Sequence, residues 1–267
     1  MKSSDQVQDT ARAWLADAIA SIGFLTRIPV HDLLPDPHPP LARSMRGFPL
    51  AGLLIGVIGA VAFALCGILH VPLLVTASIS LGAMLLATGA LHADGLADMA
   101  DGFGGGASCE RKLEIMRDTH IGSFGVVVLV LVLLTEVASL AAINGPDRFA
   151  APAVIVASAI LSRTAMVWLM HTLPPARTDG LSAAAGRPSS DTVLAALILG
   201  GVLAGLLLLI AGGMMTAAFA IAACALAALA VRALAQQQIG GQTGDVCGAT
   251  QMICEAATLA ATAASLS

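Results

Sequence analysis

From Thr192 to Val231 the chain carries no charged side chain. A single helix needs roughly 20 consecutive apolar residues to cross a bilayer, so this stretch predicts two spans, at about 192–212 and 214–234, meeting at Gly212-Gly213. By the same criterion four more spans fall at about 48–70, 72–91, 123–143 and 150–171, and an alanine-rich seventh at about 249–266 contains Glu255. Composition agrees: 57% of residues are hydrophobic and 11% charged, against roughly 45–50% and about 25% in soluble domains. Tyr is absent and small residues dominate, so the helices are expected to pack closely, with Gly52-x-x-x-Gly56 and Gly201-x-x-x-Gly205 as contact points. The expectation is an all-α integral membrane protein with about six to seven transmembrane helices, forming one multi-pass domain over residues 1–267.

The amino-terminal part, 1–47, reads differently. Its first ten residues lack the layout of a secretory signal. Residues 11–30 are interrupted by Asp17 and Arg27 and predict an interfacial helix with Trp14, Ile22 and Leu25 at headgroup level, followed by a Pro-rich loop. The five cysteines form no C-x-x-C pair and read as reduced small hydrophobes, not as a zinc site or a disulfide framework. Short turns at His70-Val71-Pro72, Asn144-Gly145-Pro146 and Gly212-Gly213 alternate with longer loops at 92–121, 172–191 and 235–248. Of the thirteen basic residues only Arg148 falls on the short-turn side, and Arg163 inside the fourth span, so the amino terminus and the long loops are expected to face the cytoplasm. The location expected is the cytoplasmic (inner) membrane, with the lipid bilayer as a partner, no nucleic acid, and homo-oligomerisation left open.

Charge is concentrated between Leu91 and Gly125. Asp94, Asp98 and Asp101 are spaced by four and three, so a helix displays all three carboxylates on one face. Such a cluster could merely solvate a span end, but cytoplasmic borders favour Lys and Arg, and carboxylates this close call for a hard cation such as Mg²⁺ or Mn²⁺. The run Gly102 to Gly106 is expected as a flexible turn whose N–H groups, at Gly104 and Gly105, approach a phosphate, with Ser108 capping the next helix. On that helix Arg111, Glu114 and Asp118 share a face. Carboxylate-held Mg²⁺, basic residues and a glycine turn together describe phosphoryl transfer, so 92–121 is expected as a cytoplasmic catalytic loop. Asp94, Asp98, Asp101 and Asp118 are the expected metal ligands, with Asp118 or Asp101 as the proton acceptor. Arg111, Arg117, Gly104, Gly105, Arg27, Arg177, Asp245 and His92 are expected to bind substrate. Glu255 either faces the site or marks a segment that does not span, and Arg163 is expected to be paired or functional.

The run His92-Ala-Asp94-Gly-Leu-Ala-Asp98-Met-Ala-Asp101-Gly102, with Arg111 to Gly125 after it, resembles the cobalamin synthase family, the adenosylcobinamide-GDP ribazoletransferases. Supporting matches lie at Phe24 to Pro29, Leu173 to Leu181 and Gly240 to Gly248, so the resemblance runs nearly end to end. It implies Mg²⁺-dependent joining of adenosylcobinamide-GDP to α-ribazole or α-ribazole 5′-phosphate, with release of GMP, at the cytoplasmic membrane face. Asp98-x-x-Asp101-Gly102 is also similar to the start of the CDP-alcohol phosphotransferase signature, but the chain has Gly105-Gly106 where that signature continues Ala-Arg, and its second half is missing. Another CDP-alcohol-type phosphotransferase, or a cation-coupled transporter, are the alternatives that the charge pattern leaves open.

Overall fold

The computed structural model describes residues 4–143 and 150–266. The expected turn at Asn144-Gly145-Pro146, Arg148 and Lys2 lie outside the described residues. Among the described residues the regular elements are helices: α1 (Ser4–Leu25), α2 (Leu41–Ser44), α3 (Phe48–Ile68), α4 (Leu73–Thr88), α5 (Leu91–Gly105), α6 (Cys109–Ile115), α7 (Ser123–Ala142), α8 (Ala150–Thr172), α9 (Leu181–Ala185), α10 (Ser190–Ile239) and α11 (Gly244–Leu266). Local sequence sets many of the boundaries. Pro72 precedes α4 and left-handed Gly89 ends it. Ser108 and Ser189 cap α6 and α10 by accepting the N–H groups of Arg111 and Thr192, and left-handed Gly240 closes α10.

Among the described residues four helices are long and apolar enough to cross a membrane, α3 (with α2 before it), α7, α8 and α10, and α4 with α5 makes a fifth if the bent pair counts as one. α10 is counted once there, yet it is not one rod. Gly213 sits at φ 79°, ψ −170°, a backbone region open to glycine alone. Leu197 from the first half and Ala225 from the second line the same cavity against α8, whereas on a straight helix they would stand roughly 42 Å apart at 1.5 Å per residue. The chain therefore doubles back at Gly213.

α8 is the axis of the molecule. Of its most apolar window 89% is buried, against 22–33% for the other candidate spans, because α3, α10 and α11 pack around it. Contact with α3 is close at the expected motif: a side chain at Gly52 would strike the Ala159 carbonyl, and one at Gly56 the Val156 backbone. Gly201 and Gly205, in contrast, face open space, so that pair is no packing motif here. The carboxylate of fully buried Asp17 accepts from Arg43, Arg46 and Ser44, and Arg46 lies 4.1 Å over the Trp14 ring. α1 is thus docked on α3 and the 41–47 segment, with Leu25 in the core instead of at headgroup level. All five cysteines are free.

The region 92–121 is where the structure departs most from the expected loop. The chain leaves α4 through left-handed Gly89 and Ala90, turns by 91°, and continues as α5, so the acids sit on an ordered helix that does not prolong α4 through the bilayer.

Candidate functional site

The three aspartates of α5 do share a face, but that face meets three surroundings in succession. Asp94 is exposed, Asp98 half-buried and Asp101 buried. Both Asp101 oxygens accept backbone N–H groups at the start of α7, from Gly122 at 2.6 Å and Gly125 at 2.8 Å. These are donors that no earlier residue of α7 can satisfy, and the negative charge sits at the positive end of the helix dipole. Expected as metal ligand and base, Asp101 is instead found as the cap of α7, supplied from another helix.

Asp94 and Asp98 face the start of α11. Gly95 makes that approach possible, since a side chain there would strike the Asp245 backbone, and Gly248 meets His92 in the same way. The Asp98 carboxyl is pushed up to about 7, first by burial and then by the charges of Asp94, Asp245 and Asp101, while Arg177 opposes the shift. Burial likewise raises Asp245, against Arg177 and the Thr243 hydroxyl. Two distant loops are clamped together here. Ala176 donates to Gln242 O and Gln242 to Pro174 O, each at 2.8 Å, and the buried Gln242 side chain accepts from the Ser182 hydroxyl. The clamp sets Arg177 beside Asp245, Nη2 to Oδ2 3.5 Å, and leaves Arg177 Nη1 buried without a partner among the described residues.

A cleft of about 170 Å³ opens beside this group, its lining shared between polar Asp94, His92, Arg177 and Asp245 and apolar Phe24, Leu25, Met166 and Met170. Acids outnumber the arginine, and the arginine keeps a spare donor. Such a cleft can hold a hard cation and an oxyanion together.

The remaining expected residues are not gathered into the cleft. The glycine run forms the last turns of α5, with Gly104 and Gly105 helical, and a side chain at Gly104 would strike the Phe124 ring. The run serves packing against α7 and is not an open phosphate turn. α6 ends at Ile115, so Asp118 does not share its face with Arg111 and Glu114. Asp118 is exposed and closes a local turn by accepting from the His120 N–H at 3.0 Å, its carboxyl held below the usual range first by the His120 ring. Arg111 pairs with Glu114 at 2.6 Å and Arg117 with Asp179 at 2.7 Å, both exposed. Arg27 is exposed at the α4–α5 corner, its backbone N–H on Ala87 O and its guanidinium against Gly89. Gln242, which holds the Arg177 loop, gave no signal beyond its place in a glycine-rich run.

The donors suit Mg²⁺ in kind, being carboxylate oxygens. Among the described residues no three His, Cys, Asp or Glu side chains are grouped to hold an ion by themselves. That is compatible with Mg²⁺, which usually takes one or two protein carboxylates and completes its shell with water and substrate phosphates.

Fold and site together define an all-α membrane protein with an acidic, arginine-bearing cleft beside its broken α4–α5 pair. Residues 17–263 match the family described as cobalamin-5-phosphate synthase. The adenosylcobinamide-GDP ribazoletransferase of Azorhizobium caulinodans is 45% identical over 92% of this chain and 94% of its own. Those of Rhizobium etli and Sinorhizobium medicae are 42% and 44% identical, over 100% of both chains and over 94% and 97% respectively. The chain belongs to the cobalamin-5-phosphate synthase family. No solved structure matches it.

Proposed function

We propose that this protein transfers the phosphocobinamide part of adenosylcobinamide-GDP to α-ribazole or α-ribazole 5′-phosphate, at the cytoplasmic face of the cell membrane. The names of its relatives support the reaction. The observation that carries the site is the convergence of Asp94, Asp98 and Asp245 on Arg177 with its unpartnered Nη1, at one end of a cleft. An acceptor hydroxyl attacks the phosphorus that bears cobinamide, the bond from that phosphorus to the bridging oxygen breaks, GMP departs with that oxygen, and the hydroxyl proton is given up.

Each residue has a part consistent with its place. Asp94 and Asp98, from one helix face, hold Mg²⁺, which when bound neutralises charge on the diphosphate. Arg177 donates its free N–H to a phosphate oxygen, a charge-assisted contact worth most where water is excluded. Asp245 holds Arg177 by the other N–H and is placed to accept the proton of the incoming hydroxyl. The wall of Phe24, Leu25, Met166 and Met170 suits the flat aromatic base of the acceptor. Arg111 and Arg117, exposed nearby in sequence, attract the anionic substrate from solution.

The test is a reconstitution. Purified protein in lipid nanodiscs is mixed with adenosylcobinamide-GDP, α-ribazole and Mg²⁺, and GMP is followed by chromatography. GMP formed in step with the cobalamin product, and abolished by a chelator, is the expected outcome. No GMP with either acceptor, from protein that is folded and monodisperse, overturns the reading.

A further inference from the structure

Behind the cleft, inside the helix bundle, lies a second polar site that the proposed reaction does not use. Arg163 of α8 donates from Nη1 to Glu255 of α11 at 2.5 Å and to the Ser162 hydroxyl at 3.1 Å, and Gln251 Nε2 donates to the same Glu255 oxygen. Glu136 of α7 is buried beside them. This group borders a small chamber of about 20 Å³, completed by Thr88, His92, Met84 and Met252.

Four polar atoms here are buried and have no hydrogen-bond partner among the described residues: Glu136 Oε1, Gln251 Oε1, Arg163 Nε and His92 Nε2. Their side chains are exposed by 3% or less. Each is costly to leave unmade in such a place. Two are acceptors, one is a donor, and the imidazole nitrogen can be either. A water molecule offers two donors and two acceptors, and needs about 10–15 Å³ with two to four polar partners. A cation fits poorly, because the Arg163 N–H is among the orphaned groups and no three acid, His or Cys side chains among the described residues are grouped to hold one.

We propose that the chamber binds one ordered water molecule, which donates to Glu136 and Gln251 and accepts from Arg163 and His92. Through it α7, α8 and α11 are tied to the first turn of α5. His92 borders the cleft as well as the chamber, so the water fixes the turn that carries Asp94. His92 is a positioning residue in this arrangement.

Radiolytic hydroxyl footprinting reads such a water directly and independently of turnover, so its outcome is separate from that of the proposed reaction. A water trapped beside Met84 and Met252 is cleaved where it sits and oxidises them, although both are buried. Met99, as exposed as Met84, and fully buried Met45 lie outside the chamber, and they serve as controls. The expected result is oxidation of Met84 and Met252 severalfold above the controls, and loss of that excess in a Gln251→Leu protein that still elutes as a folded species. If Met84 and Met252 stay as unreactive as Met45 and Met99, or if the excess persists unchanged in Gln251→Leu, the bound water is wrong.

Discussion

Two clusters in this protein are built from the same parts, carboxylates around one arginine, and they end in opposite states. In the bundle interior Arg163 and Glu255 meet at 2.5 Å, with Ser162 and Gln251 on the same oxygen, all buried. At the cleft Arg177 reaches Asp245 at only 3.5 Å, Asp94 and Asp98 form no ion pair among the described residues, and the Asp98 carboxyl is driven up to about 7. Arg163 and Glu255 are closely paired because unpaired charge in low dielectric is prohibitive. The cleft tolerates imbalance because water reaches it, and that imbalance is what a dication and a diphosphate would relieve.

The contrast can be broken most forcefully from the inside. Glu255→Leu leaves Arg163 buried without its hydrogen-bonded carboxylate, and removal of one partner of such a pair costs about 3–5 kcal/mol. Thermal unfolding in detergent should fall sharply, and the double change Arg163→Met with Glu255→Leu should recover much of the loss. A double variant no better than Glu255→Leu would deny that the pair is the source.

In the cleft the same kind of change should spare the fold. Arg177→Met is expected to lower kcat on the order of 10²-fold, as loss of a single donor to developing charge does, with little change in unfolding temperature. Equal losses in stability and rate would make Arg177 structural. Asp101→Ala is the intermediate case: it removes a cap from α7, costing about 1–2 kcal/mol, and the effect should appear in stability before activity.

Asp98 gives the comparison a pH signature. Its carboxyl is raised in the folded protein, so between about 4, where the unfolded chain releases this proton, and about 7 the folded state binds more protons, and metal-free protein loses stability as pH rises through that window. Mg²⁺ held by ionised carboxylates offsets the loss. The rise in unfolding temperature on adding Mg²⁺ should therefore be larger at pH 8 than at pH 5, and a rise independent of pH would place the ion elsewhere. The smallest effect belongs to the exposed Arg117–Asp179 pair, where Arg117→Ala should change stability by less than about 1 kcal/mol.

The sequence was a good guide where one physical constraint dominates. Long apolar runs mark α3, α7, α8 and α10, and the hinge between the last two apolar runs falls at Gly213, where the two glycines stand. The face shared by Asp94 and Asp98 was legible from helical spacing. What spacing could not show is what the face meets. Asp101 has the same period as its neighbours, yet α7 begins against it, and only the fold brings the Gly122 and Gly125 N–H groups there. The glycine run read as a loop because its residues are poor helix formers, and tertiary contact with Phe124 and Met116 overrides that preference. Asp118 was assigned by extending α6 past its end, whereas the chain turns at Asp118 through the residue's own side chain. Glu136 did leave a trace, a carboxylate inside an otherwise apolar span, of the kind that marks a buried polar site.

The central claim, that the acids of α5 facing α11 are the working site, is tested most directly by one comparison of GMP release. Asp98→Asn keeps the shape of the side chain and removes its charge. Measured with Mg²⁺, adenosylcobinamide-GDP and α-ribazole, it should release no GMP above background while unfolding at or slightly above the wild-type temperature, since a strained carboxylate has been relieved. GMP release near the wild-type rate would contradict the claim.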